Sequence, residues 1–387
     1  MGEARTSFGD LLETRKNNFD FLRVALATLV LVSHAKLSVA TVADDVATAG
    51  PLAVKFLGGG RMALNWFFVI SGFLIARSWL QSRSTWDYTK KRLLRIYPGF
   101  FVAMLVCVFV FGPLGGARMA TYWTDPQTWS FFSPLIFGPL GTLPQVFEKP
   151  GVPYETNTPL WSIRFELFCY ALVILFGYLG ALKNRVFTLA AFVLATAVFT
   201  LHAYRIPSAW HISLPWFDQI DDLPRLISFF LSGTVFYLYR EKIPYSDALG
   251  LLSAVGFVVA YKFFPTIGIP IFGTYLLFYI AFNRRLRLYD FGKRGDISYG
   301  LYLYGFPIQQ LLVYHFGDTL RQISPAIAGR VVIVVLNLAL TILVALASWH
   351  FVEKPFLKMK KKSPAREGET SAIADVEPTK PVVGGAQ

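Results

Sequence analysis

Ten apolar runs, each close to the length that crosses a bilayer, dominate this sequence: residues 19–39, 62–80, 97–114, 159–180, 186–203, 222–240, 246–262, 266–283, 297–316 and 330–351. A helix rises ~1.5 Å per residue, so ~20 apolar residues span the hydrocarbon core. Hydrocarbon offers no partner to a backbone amide, and a helix satisfies its own. The runs therefore restrict the chain to an all-α integral membrane protein of about ten transmembrane helices. Composition agrees, with 54% of residues hydrophobic and 16% charged, where a soluble domain carries ~25% charged residues. Only Phe263–Pro265 separates 246–262 from 266–283.

The formal net charge of +13 raises the question of nucleic acid. Its basic residues, however, lie in short loops between apolar runs, where they set topology. With the N-terminus inside, inner segments hold roughly 22 Lys and Arg against 8 on the other side, a positive-inside bias. The expectation is an even number of spans, both termini cytoplasmic and no nucleic-acid partner. Residues 1–18 form a cytoplasmic N-terminal segment, 19–356 the transmembrane domain and 357–387 a basic, then disordered tail. Ser38-Val39-Ala40 is similar to a signal-peptide cleavage site, but Arg23 interrupts the apolar region before it, so the first run reads as a retained span. The segment 115–158, rich in Pro, Gly and aromatics, suits a re-entrant or interfacial piece, with Trp123 and Trp129 at the boundary. Cys107 and Cys169 lie in apolar runs and read as small hydrophobes; no metal-ligand spacing is present.

Polar residues inside the runs carry the chemistry, because a charge in hydrocarbon costs at least ~2.5–3.5 kcal/mol. FDFLRVALATLVLVSHA (19–35) holds Asp20, Arg23 and His34. Arg23 and His34 lie eleven residues apart, about three turns and ~16 Å, on one face with Ala27 and Val30 between them. Such a stripe lines a cavity, or else Asp20 pairs with Arg23 and His34 bonds a neighbouring helix. In WDYTKKRLLRIYPGF (86–100), Arg92 and Arg95 at i, i+3 make a two-pronged anion grip beside Lys91, or an ordinary positive-inside loop. TPLWSIRFELFCY (158–170) enters a span with Trp161 and Ser162 at the interface and Glu166 about two turns deep, near the depth of His34. A histidine and a carboxylate at one depth suit general base catalysis, and equally a transporter's proton relay. LNWFFVISGFLIARSW (64–79) adds Asn65 at its outer end and the small Ser71-Gly72 pair, which suits close helix packing. DISYGLYLYGFPIQQ (296–310) brings the hydroxyls of Tyr299 and Tyr302 into a span, and in SWHFVEKPF (348–356) Glu353 ends the last helix.

Taken in order, these six stretches resemble the acyltransferase 3 family of membrane-bound O-acyltransferases, over about residues 17–356. The resemblance implies transfer of an acyl group, most often acetyl, from cytosolic acyl-CoA to a glycan hydroxyl at the bacterial inner membrane. Acetyl-CoA is then a co-substrate, with no tightly bound cofactor and no metal. The family's first-helix arginine and histidine fall on Arg23 and His34, its cytoplasmic arginine pair on Arg92 and Arg95, and its acidic position on Glu166. On this reading Lys91 joins the donor-binding arginines, and Asp20, Asn65, Ser71, Trp161, Ser162, Tyr299 and Tyr302 line a cofactor and substrate tunnel. His34 accepts the hydroxyl proton or forms an acyl-histidine, and Glu166 orients it. Two positions depart from the pattern: Asn65 stands where many members carry aspartate, and Gly305 where a histidine is usual. The partners implied are acyl-CoA, a carbohydrate or glycolipid acceptor such as lipopolysaccharide or exopolysaccharide, and the bilayer. The alternative is a proton-coupled transporter or flippase of a polar lipid or saccharide.

Overall fold

A computed structural model describes residues 6–14, 16–39, 59–136, 138–148, 155–204, 220–321 and 326–359. Its principal helices are α1 (Phe8–Glu13), α2 (Phe19–Val39), α3 (Gly59–Leu80), α4 (Thr85–Val106), α5 (Ile163–Tyr178), α6 (Arg185–Ala203), α7 (Leu223–Tyr239), α8 (Asp247–Phe263), α9 (Thr274–Phe282), α10 (Ser298–Arg321) and α11 (Ala326–Ser348). Among the described residues six runs are long and apolar enough to cross a membrane: Gly59–Leu80, Thr85–Leu114, Thr158–Tyr178, Arg185–Ala203, Pro265–Phe282 and Val331–Lys358. This is an all-helical, multi-pass membrane protein. The other expected spans also form helices, but α7 and α8 are each 17 residues long. α2 and α10 are 21 and 24 residues long. Large apolar side chains such as Val193, Leu252, Val258, Leu343 and Phe351 point outward and are exposed, as a bilayer-facing surface requires.

Two helix boundaries differ from the sequence reading. α4 starts at Thr85, capped where Ser84 Oγ accepts from Asp87 N at 3.1 Å, so the basic stretch 90–95 belongs to the spanning helix and not to a loop. No glycine breaks 85–97, and the helix runs on through Pro98. The last helix does not end at Glu353. It widens into a π-turn at Trp349–Glu353 and continues through Lys354–Lys358. Pro355 has no amide to donate, and the widened turn lies directly before it.

Small residues set the closest crossing. A Cβ on Gly72 of α3 would overlap the Phe230 carbonyl oxygen of α7, and one on Gly233 would overlap that of Val69. The two glycines thus let α3 and α7 approach backbone to backbone, as small residues do in membrane interfaces. Toward the Leu80 end of α3, Phe73, Phe236, Phe278 and Phe282 form an aromatic core, with centroids 4.4 Å apart for Phe236–Phe278 and 4.7 Å for Phe73–Phe278. The fully buried Phe8 plugs α1 into this core against Phe236 at 4.9 Å. α10 starts beside the N-terminus of α2 and runs along it, meeting Leu31 at Gly305, where a Cβ would crowd the leucine.

Candidate active site

α2, α3, α4, α5 and α10 enclose a cavity of about 320 Å3. Arg23 enters it from α2, Arg92 and Arg95 from α4, Ser71 from α3, Glu166 from α5, and Tyr299 and Tyr302 from α10, with Ser162 just before α5. Eight residues singled out from sequence are therefore gathered around one space. Leu64, Phe68 and Ile163 make its far wall apolar.

Its basic end is organised by Asp296, which the sequence reading did not use. One carboxylate oxygen, Oδ2, accepts from Arg23 Nη1 at 2.7 Å and from Arg95 Nη2 at 2.5 Å. The other, Oδ1, accepts from Ser298 Oγ at 2.5 Å and Ser298 N at 3.2 Å at the start of α10. Burial would push this carboxyl up, but the two guanidinium groups and the Ser298 donors outweigh it and hold it well below the usual carboxylate range. Arg92 is placed differently. Its guanidinium lies 6.0 Å from the centre of the Tyr170 ring. Its Nε is buried without a hydrogen-bond partner among the described residues.

Tyr170 also donates to Glu166 Oε1 at 2.5 Å, one helical turn away. This i, i+4 spacing was legible in the sequence. Deeper in, Tyr302 donates its one hydroxyl proton to the Pro159 carbonyl, so Ser162 Oγ donates to Tyr302 Oη at 2.5 Å. Tyr299 donates to the Ile96 carbonyl at 2.9 Å, tying α10 to α4.

The other five candidates lie outside the cavity lining. His34 sits further along α2 with its ring edge-on to Phe306, centroids 5.2 Å apart. Lys91 is paired with Asp87 at 2.7 Å. Asp20 lies against Gly292, where a Cβ would overlap its carboxylate. Trp161 packs edge-on to Phe165 at 5.5 Å. Asn65 is fully buried at the opposite end of the bundle, where its Oδ1 accepts from Arg225 Nη1. Arg225, also fully buried, donates to Asp222 Oδ1 from Nε at 3.1 Å and from Nη2 at 2.8 Å. The sequence reading passed over this buried Arg225–Asp222 pair, although an arginine inside an apolar run is itself a signal.

The model of the acyltransferase domain family Acyl_transf_3 matches residues 16–349. Across almost the whole chain the sequence is similar to an O-acetyl transferase of Shigella phage Sf6, at 26% identity over 89% of this chain and 96% of the relative. It is also similar to nodulation protein 10 of Rhizobium leguminosarum bv. viciae, at 25% identity over 91% of this chain and 96% of the relative. A third relative is the putative membrane-bound transacylase BcsY of Komagataeibacter xylinus, at 24% identity over 91% and 86% respectively. No solved structure matches. A family match over this length, on a multi-pass helical bundle with arginines gathered round an internal cavity, makes the chain a membrane-bound acyltransferase that belongs to the acyltransferase 3 family.

Proposed function

We propose that this protein is a ten-pass O-acetyltransferase of the bacterial inner membrane, with both termini cytoplasmic. It moves acetyl from cytosolic acetyl-CoA to a hydroxyl of a cell-envelope or secreted carbohydrate. The observation that carries the reading is the convergence of Arg23, Arg92 and Arg95 at one end of an internal cavity. Guanidinium groups suit the phosphates of coenzyme A, and that end faces the cytoplasm under the positive-inside bias. The relatives named as an O-acetyl transferase and a transacylase support the reaction class.

Arg92 and Arg95 hold the donor's phosphates while the thioester passes along α2 toward His34. His34 takes the proton of the acceptor hydroxyl as its oxygen attacks the thioester carbonyl. A carbon–oxygen bond forms, the carbon–sulfur bond breaks, and the proton leaves with the thiolate as free coenzyme A. Glu166, held by Tyr170, places negative charge in the cavity and stabilises the protonated imidazole once His34 faces it. The alternative, a proton-coupled transporter or flippase of a polar lipid or saccharide, needs no phosphate grip. The unpartnered Arg92 Nε favours the enzyme.

The test is transfer of labelled acetyl from acetyl-CoA to envelope glycans in membranes holding wild type, His34→Ala or Arg92→Ala. Alkali-labile label with the wild type, lowered ~10²–10⁴-fold in His34→Ala and lost at low donor concentration in Arg92→Ala, is the expected result. Label that persists undiminished in His34→Ala removes that residue from the chemistry. Absence of label in all three, with each protein inserted, favours the transporter.

A further inference from the structure

A second hollow, also about 320 Å3, lies in the segment joining α4 to α5. Its walls are polar: Asp125, Gln127, Thr142, Gln145 and Glu148. The volume falls at the lower end of the ~300–1,000 Å3 range of small-molecule sites.

The walls are tied in place from several sides. Gln127 Nε2 donates to the Thr142 carbonyl at 3.1 Å and to Thr142 Oγ1 at 3.2 Å, joining the short helix Pro126–Ser130 to the 141–148 segment. Leu143 N donates to Thr156 Oγ1 at 3.0 Å, and Phe147 N to the Gly115 carbonyl at 2.8 Å. Gln145 and Phe147 hold left-handed backbone, φ 60° and 61°, a conformation that surrounding structure must enforce.

Two carboxylates, the Gln145 carboxamide and the oxygen of the Gln127 carboxamide, whose Nε2 is committed to Thr142, offer planar acceptors and donors around one hollow, the groups that match neighbouring hydroxyls on a sugar ring. Among the described residues no lysine or arginine lines it, and the carboxylates of Asp125 and Glu148 disfavour an anionic ligand. Trp123 and Trp129 flank Asp125 and Gln127 along the chain and are exposed, with Trp129 Nε1 donating to the Trp123 carbonyl at 3.0 Å. Thr156, which anchors Leu143, is followed by Asn157 and then by the turn Thr158–Ser162, whose Ser162 lines the main cavity. The backing segment of the hollow thus continues along the chain to a residue that lines the main cavity.

We propose that this hollow binds an uncharged pyranose unit of the acceptor carbohydrate and so selects neutral over acidic glycans. The proposal rests on the acyltransferase reading above. Its test is saturation-transfer NMR on the full chain in nanodiscs with methyl β-glucoside, methyl β-N-acetylglucosaminide and methyl β-glucuronide at millimolar concentration. Transfer to the two neutral glycosides but not to the glucuronide is expected, falling at least fivefold in the Gln127→Ala/Glu148→Ala double variant. Acetyl-CoA binding by the same sample shows that the variant is folded. Equal signals from wild type and double variant, no signal from any glycoside, or a preference for the glucuronide overturns the proposal. So does a terbium-luminescence site lost in Glu148→Gln, which would make the hollow a cation site. Failure here is distinct from failure of the acyltransferase reading: acetyl transfer indifferent to the double variant sinks only this site, and glycoside binding without acetyl transfer sinks only the reaction.

Discussion

At the scale of single residues, Asp296 and Tyr170 give the basic end its geometry. Asp296 keeps Arg23 and Arg95 side by side. Asp296→Asn leaves two guanidinium groups facing each other, and breaking such a largely buried pairing costs about 3 kcal/mol. A lower melting temperature of the purified protein at pH 7 is therefore expected. The carboxyl's folded value is depressed, so its contribution is fully present above the unfolded value of ~3.9 and is lost as pH falls through the folded one. The gap in melting temperature between wild type and variant should be constant above about pH 5 and narrow below about pH 4. A gap that does not change down to pH 3 would contradict the pairing. Glu166 is held by Tyr170, and His34 lies against Phe306, so their proposed cooperation is a statement about the donor-bound state. In acetyl-transfer assays His34→Ala and Glu166→Gln should then be strongly non-additive, the double variant being about as slow as His34→Ala alone. Additive losses would show that Glu166 acts independently of the imidazole.

Among the helices, the α3–α7 crossing carries the tightest tolerance. Gly72→Ala or Gly233→Ala places a methyl against a carbonyl oxygen of the facing helix. Overpacking of this kind costs ~1–3 kcal/mol, and the partner here is backbone, which cannot rotate away, so the upper end applies. Both variants should lose expression and melt at lower temperature, whereas Gly141→Ala, whose Cβ would meet nothing within 4 Å, should stay within ~0.5 kcal/mol of wild type. A melting temperature unchanged in Gly72→Ala would mean that the two helices do not cross this closely. α4 teaches a second point at this scale. Because one helix carries both the basic stretch and the span, Arg92 and Arg95 are rigidly placed on the cavity wall, where a loop would have left them mobile.

For the whole molecule, the proposed ten-pass topology puts the Leu80 end of α3 in the cytoplasm and the Pro126–Ser130 helix on the other side. Gln81 and Ser130 are both exposed and report these two ends. Gln81→Cys should react with a membrane-impermeant maleimide only after the inner membrane is opened, and Ser130→Cys should react in intact spheroplasts. The native Cys107 and Cys169 are buried and should stay unlabelled in both. Labelling of the two positions from the same side would refute the topology.

Hydrophobic runs and loop charge determined by themselves that this chain is a multi-pass helical bundle, because burying ~20 apolar residues in hydrocarbon leaves the backbone no other structure. They also singled out Arg23 and Glu166, since ionisable groups are costly at such positions, while the i, i+3 spacing before the third run singled out Arg92 and Arg95 as an anion grip. Depth along a helix was legible too, being a matter of counting residues. Only the tertiary structure decided which groups meet. Azimuth depends on how each helix is rotated against its neighbours, and that is set by contacts such as Gly72 with Phe230 and Gly305 with Leu31. Equal depth therefore did not bring Glu166 to His34: Glu166 meets Tyr170 one turn along its own helix, and His34 lies against Phe306. The Arg95–Asp296 bond joins residues 201 positions apart, and no local spacing encodes such a pair. It exists because α2, α4 and the start of α10 converge at one end of the bundle.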